Sequence, residues 1–277
     1  MITIGADPEL FLRDTNTGGV IPVCGLVGGA KGAPIPLPDM PEGFGVQEDN
    51  VMLEFNIPPC QDIYEFDDAI QRGLEGSMNL VRTRHPHIDV DFAPARAFSD
   101  QQLNSEQAMM FGCAPDFDAY TGGTPSLPVS PDSLVRAEGG AWRFAGGHVH
   151  IGGMEASEVP EHVIAQFCDV YIGLPSVGLD KQGPRRQLYG QAGRFRPTPW
   201  GIEYRTLSNF WVFDSNLRQE VGQRAINVGV LMEDTERAHA LFLEVPWHDV
   251  QAAINNENED LSADLIAYCR NDLGMEV

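Results

Sequence analysis

Gly146-Gly147-His148-Val149-His150-Ile151-Gly152-Gly153 reads as the end of a β-strand, predicted over residues 142–151, with a chemical face. Histidines at i and i+2 turn both imidazoles to one side of a strand, the geometry of paired metal or phosphate ligands. The glycine pairs on either side let a ligand or another backbone approach closely. Upstream, residues 2–12 read as a strand, and Asp14-Thr15-Asn16-Thr17-Gly18-Gly19 turns the chain into a hairpin with Val20–Val23. A Gly/Pro-rich loop covers residues 25–45, a strand is predicted over 46–57, and a helix over 62–84 with Asp62 as N-cap. Residues 88–92 alternate as a strand, 99–110 suggest a short helix, and an irregular region follows to about Glu138.

Downstream of the histidines the pattern predicts a helix over 160–173 and a basic, irregular stretch over 181–199. A strand over 201–212 and two or three helices from Ser215 onward complete the chain. The strands are bounded by hairpins and long excursions rather than regular βαβ units. The expected class is therefore α+β, a largely antiparallel sheet with helices on one face, in a single domain over residues 1–277.

The 277 residues include 18 basic and 40 acidic side chains, a formal net charge of -22. General nucleic-acid binding and anionic-membrane binding need clustered Lys and Arg, so both are disfavoured. Mean hydropathy is -0.20, and no apolar run reaches the ~18 residues of a membrane span. The N-terminal residues carry no basic-then-apolar secretory pattern, so a cytoplasmic protein is expected. Five scattered cysteines (Cys24, Cys60, Cys113, Cys168, Cys269) without a C-x-x-C read as reduced thiols.

Three further segments carry polar residues on predicted strands. Asp7-Pro8-Glu9 places two carboxylates on one face about 7 Å apart, able to address two metal ions. Glu48-Asp49-Asn50-Val51-Met52-Leu53-Glu54-Phe55-Asn56, read as one strand, puts Glu48, Asn50, Glu54 and Asn56 on a shared face. Glu203-Tyr204-Arg205 follows Lys181, Arg185, Arg186, Arg194 and Arg196, so six of the 18 basic residues fall in one stretch of an acidic protein. Such a concentration points to an anion such as polyphosphate. Carboxylates with an imidazole favour Mg²⁺ or Mn²⁺ over zinc. No phosphate-binding G-x-x-x-x-G-K loop and no G-x-S-x-G elbow is present. The combined set suits phosphoryl transfer, which rests on positioning and charge stabilisation.

In their order these motifs resemble the glutamine synthetase-like carboxylate–amine ligases, and most of all the phage-type (type 2) branch. The motifs are G-x-D-x-E-L from Gly5, the G-G-x-K loop ending at Lys31, E-x-N-x-x-P from Glu54, the G-G-H-x-H-x-G strand, and G-x-E-Y-R ending at Arg205. The resemblance implies a curved antiparallel sheet whose concave face holds ATP and two or three divalent ions. It implies that Glu9 and Glu54, with Glu48 or Asn50, hold one ion, and that Asp7, His148 and Glu203 hold another. His150 would face the nucleotide, and Arg194, Arg196 and Arg205 would bind phosphate oxygens. Lys31 would hold a phosphate or the substrate carboxylate. The implied reaction joins a small-molecule or peptide carboxylate to an amine larger than ammonia through an acyl phosphate, and needs an acidic residue to take the proton of the amine. A phage protein would work in the host cytoplasm. A metal-dependent hydrolase and a non-catalytic acidic interaction protein on the same fold stand as alternatives.

Overall fold

The computed structural model describes residues 1–109, 116–125, 136–137, 140–155, 157–181, 183–187 and 189–277; Cys113 lies outside them. Among these the strands run β1 (Thr3–Ala6), β2 (Glu9–Asp14), β3 (Val20–Ile21), β4 (Ile35–Pro36), β5 (Gly45–Asp49), β6 (Met52–Asn56), β7 (Ile88–Asp91) and β8 (Ala95–Ser99). They continue with β9 (Phe117–Asp118), β10 (Thr124–Pro125), β11 (Arg136–Ala137), β12 (Gly140–Phe144), β13 (Val149–Gly152), β14 (Arg194–Thr198) and β15 (Gly201–Tyr204). The helices are α1 (Ile63–Arg84), α2 (Glu106–Met109), α3 (Glu161–Cys168), α4 (Leu174–Ser176), α5 (Ser215–Glu233), α6 (Thr235–Glu244), α7 (Trp247–Asn255) and α8 (Glu259–Asn271).

Every strand pairing is antiparallel. One sheet has the order β1-β13-β15-β14-β9-β10, a second β3-β2-β6-β5-β4 with β7 on β2, and a small third β11-β12-β8. The sheets curl into a half-barrel with the main helices against one face, the α+β architecture expected. Asp62 caps α1, accepting from the amides of Tyr64 and Glu65, and the hairpin of β2 and β3 pairs Leu12 with Ile21. No described helix is long and apolar enough to cross a membrane.

Three predicted strands are interrupted, and each interruption matters to the site. Residues 2–12 break at Asp7-Pro8, because proline has no N–H to offer a ladder. There the chain passes from the first sheet to the second, with β1 paired to β13 and β2 paired to β6. Residues 46–57 form a hairpin instead of one strand. Asn50 sits at φ 55, a left-handed conformation that Asn tolerates better than most residues, and reverses the chain. Residues 142–151 divide into β12 and β13, which belong to different sheets. The strand predicted over 201–212 ends at Tyr204 and gives way to a 3-10 turn at Asn209–Phe213. The stretch over 181–199, expected to be irregular, contains β14, and four helices rather than two or three follow Ser215.

The core lies between the sheets and the helices. Leu10 and Leu12 of β2, Leu53 and Phe55 of β6, Val149 and Ile151 of β13, Phe195 of β14 and Ile202 and Tyr204 of β15 are all buried in it. Phe66 of α1 stacks on Trp211 with centroids 5.7 Å apart. Alternation along each strand then directs the neighbouring side chains to the opposite, concave face. That face receives Glu9, Glu54, His150, Arg194, Arg196 and Glu203.

Candidate active site

The site follows the seam where the chain crosses between sheets. Glu9 and Glu54 stand directly opposite each other on β2 and β6, an arrangement of like charges that destabilises a sheet unless a cation or proton intervenes. Asp49 of β5 joins them, and one oxygen from each of Glu9, Asp49 and Glu54 lies within 4.8 Å of the others. All three are buried. Burial, reinforced by the charges of Asp7, Glu9 and Asp49, pushes the Glu54 carboxyl well above the usual carboxylate range. Gln47 donates to Glu54 Oε1 at 2.7 Å, the Gly146 amide to Glu9 Oε2 at 2.6 Å, and Lys31 Nζ to Asp49 Oδ2 at 2.7 Å.

A second group forms around Asp7. His150 and Glu203 are cross-strand partners on β13 and β15, and Arg196 of β14 is the next residue on the same rung. Asp7, His150 and Glu203 offer ligand atoms within 4.8 Å of one another. His148 Nδ1 lies 3.2 Å from Asp7 Oδ1 and 3.5 Å from Glu203 Oε1. His150 Nε2 is also 3.2 Å from Asp7 Oδ1, yet it is buried and makes no hydrogen bond among the described residues. Burial works to raise the Asp7 carboxyl, but His150 and His148 outweigh it and hold it well below its ordinary value. The His150 imidazole is raised in turn: burial opposes its charge, and Asp7 and Glu203 overcome that.

These donors fit hard divalent cations. Five carboxylates and two imidazoles converge, Glu54 is driven toward its protonated form, and the buried Asn56 Oδ1 and His150 Nε2 make no hydrogen bond among the described residues. Bound cations would relieve each of these costs. Asp7 and Glu9 face two separate groups, in keeping with two carboxylates able to address two ions, but they do not share one strand face, because Pro8 breaks the strand between them.

Arg196 Nη1 donates to Glu203 Oε2 at 2.9 Å, and Arg205 pairs with the other oxygen of Glu203. Arg194 and Arg205 both approach Asp116, at 3.8 and 3.5 Å. Burial raises the Asp116 carboxyl, against the pull of Arg205 and Arg194. An open cleft of ≈ 620 Å³, lined by Lys31, Gln47, Asn56 and Arg196 among others, leads to both groups. His150 also borders a hollow of ≈ 840 Å³ beside Trp200, whose ring centroid is 5.3 Å away.

Two expected members of the site lie elsewhere. The hairpin at Asn50 reverses the alternation, so Glu48 faces away from Glu54 and accepts from the amides of Gly25, Val27 and Gly28 at 2.7–2.8 Å. Asn50 forms the turn itself, bonding the Val51 amide and the Ala108 carbonyl. Asp49, not Glu48, faces Glu9 and Glu54; the Asp49-Asn50 dipeptide was the available turn signal. Arg185 and Arg186, counted with the anion-binding arginines, are buried and donate to backbone carbonyls at Gly190 and across residues 205–207. They brace the end of β15. Asp116 had no local signal, because the pairing of β9 with β14 delivers it.

A family model described as phage phiEco32-like COOH-NH2 ligase type 2 matches residues 137–253. Over that segment the chain is similar to the phage-type carboxylate–amine ligases. The matched stretch contains His148, His150, Arg194, Arg196, Glu203 and Arg205, so it supplies one wall of the site. Glu9, Asp49 and Glu54 lie before it and supply the other. No curated protein matches the chain.

Proposed function

We propose that the protein is an ATP-dependent carboxylate–amine ligase that forms an amide or peptide bond through an acyl phosphate. The supporting observation is the pairing of a buried acidic group, Glu9/Asp49/Glu54, with a part-buried one, Asp7/His150/Glu203 with His148, beside Arg194, Arg196 and Arg205. Bound at these groups, Mg²⁺ or Mn²⁺ would neutralise phosphate charge and screen the approaching carboxylate. The triphosphate enters the polar cleft, where Lys31 and Arg196 stand at its border. The nucleoside end lies toward His150 and the hollow beside Trp200. Arg205 and Arg196 lean on Glu203 and are thereby aimed at the point where the γ-phosphoryl group is transferred, so their charge is positioned before the reaction begins. The substrate carboxylate attacks that phosphorus, ADP leaves, and the amine displaces phosphate from the acyl phosphate.

Calorimetric titration of ATP with and without Mg²⁺ or Mn²⁺ tests this reading. Wild-type protein is expected to bind ATP only with the metal, and Glu54→Ala and His148→Ala each to weaken binding by more than about tenfold, the equivalent of ~1.4 kcal/mol. Absence of ATP binding under either metal would sink the ligase reading and return the hydrolase and the interaction protein to the front.

A further inference from the structure

On the core side of the arginine-bearing strands, away from the polar cleft, one carboxyl gathers three segments of the sheet. Asp169–Gly173 form a π-helical turn between α3 and α4, a distortion frequent at functional sites. Asp169 is wholly buried there. It accepts from Tyr204 Oη at 2.7 Å, from Tyr120 Oη at 2.8 Å and from the Gly193 amide. Tyr204 stands on β15 between Glu203 and Arg205, and Gly193 directly precedes Arg194 of β14. Tyr120 follows β9, and Asp116 precedes it. The same segments are bonded to one another: the Gly193 carbonyl accepts from the Ala119 amide at 3.0 Å, and the Arg194 carbonyl from the Arg205 amide at 2.9 Å. The fit is close, because a Cβ on Gly173 would stand 2.7 Å from Tyr204 Oη and 3.4 Å from Asp169 Oδ1.

Alternation along β15 turns Tyr204 into the core and Arg205 to the polar cleft, so a bond made behind the sheet fixes what stands in front of it. Arg205 is held there between two acids, Glu203 and Asp116, and both lie on segments tied to Asp169. Arg196 bonds the other oxygen of Glu203. Hydrogen bonds to a charged acceptor are about twice as strong as neutral ones, and one acceptor shared by three donors fixes the donors relative to each other. Misplacing a charge by about 1 Å through a distant change costs up to about a hundredfold in a transfer reaction. On the ligase reading above, we propose that Asp169 is a positioning residue: by holding Tyr204, Gly193 and Tyr120 from the helical layer, it sets how Arg194, Arg196 and Arg205 converge on the γ-phosphoryl end of the nucleotide. Losing one donor frees its strand to shift against the others. The penalty falls on the terminal phosphate that these arginines address, not on the nucleoside.

Calorimetric titration of Mg·ATP and Mg·ADP tests the assignment through the ratio of the two affinities. Tyr204→Phe keeps the ring and removes only the O–H; it is expected to weaken ATP about fivefold or more and ADP less than about twofold. Asp169→Asn should lower the ratio at least as far, and adding Tyr204→Phe to it should change the ratio little further, because both act through one contact. Ser262 supplies the comparison: it is buried and donates to the Leu174 carbonyl at 2.7 Å, joining α8 to α4. Ser262→Ala should lower the melting temperature and leave the ratio as in the wild type, the signature of a purely structural bond. Should Asp169→Asn lose its cooperative melt, Tyr204→Phe and Tyr120→Phe carry the test, each with a lowered ratio. A ratio in Tyr204→Phe equal to that of the wild type, or full additivity with Asp169→Asn, overturns the proposal. The wild type separates the two levels: no Mg·ATP binding sinks the ligase reading and this role with it, whereas ATP binding with a ratio indifferent to Tyr204→Phe sinks only the positioning role.

Discussion

Asp49 faces Glu9 and Glu54 across the concave cleft, whereas Glu48, one residue earlier, turns into the loop of Gly25–Gly28 and accepts three backbone amides. The two acids should therefore fail differently. Glu48→Ala leaves buried N–H groups without an acceptor and is expected to cost about 2–4 kcal/mol of stability, with ATP affinity of the folded fraction unchanged. Asp49→Asn removes a charge from a crowded acidic group and should leave the melting temperature of the metal-free protein within a few degrees, while weakening metal-dependent ATP binding by about tenfold or more. Chemical denaturation and calorimetry on both variants check this. Equal loss of ATP affinity in the two would mean that Glu48 reaches the site after all.

At the scale of elements, the glycines around the His-x-His strand explain how two sheets meet. A Cβ on Gly147 would stand 2.3 Å from the Ser208 carbonyl oxygen and 2.6 Å from Trp211 Nε1, and one on Gly146 would stand 2.3 Å from His148 Nε2. The close approach expected of these glycines is thus made by another backbone and by the histidine's own ring. Gly147→Ala should force β13 away from Ser208 and cost about 1–3 kcal/mol through overpacking, measured by urea denaturation; a neutral result would show that the seam relaxes freely. The alternation of His148, Val149, His150 and Ile151 was legible in the sequence because a two-residue period is set by covalent geometry. The break at Asp7-Pro8 and the reversal at Asn50 were less so. A strand and a hairpin of the same residues differ only in one left-handed backbone position, and here that position decides which of two adjacent acids enters the site.

Across the whole molecule, Asp169 ties the helical layer to the active-site sheet. It lies in a π-helical turn between α3 and α4, wholly buried, and accepts from Tyr120 and Tyr204 at 2.8 and 2.7 Å. Tyr204 is the neighbour of Glu203. Burial pushes the Asp169 carboxyl from the ordinary carboxylate range up to about 7. A carboxyl whose folded value is raised contributes stability that is complete below its unfolded value and is lost as the pH climbs through the folded one. Between pH 6 and 8 this group alone should lower unfolding stability by roughly 1 kcal/mol, and Asp169→Asn should flatten the slope. Melts across that window in buffered high salt, which screens the repulsion of a -22 chain, test the assignment; an unaltered slope in the variant would place the titration elsewhere.

The sequence by itself determined the fold class, the capped helix α1, the His-x-His face, the roster of carboxylates at Asp7, Glu9, Glu54 and Glu203, and the resemblance to ligases. Each of these rests on local spacing or on residue type, which the chain carries before it folds. The tertiary structure alone decided that Asp49 replaces Glu48, that Arg185 and Arg186 serve the backbone, and that Asp116 faces Arg194 and Arg205. These depend on which strands pair and where the chain changes sheets, outcomes of long-range hydrogen bonding and shared burial that no window of a few residues contains.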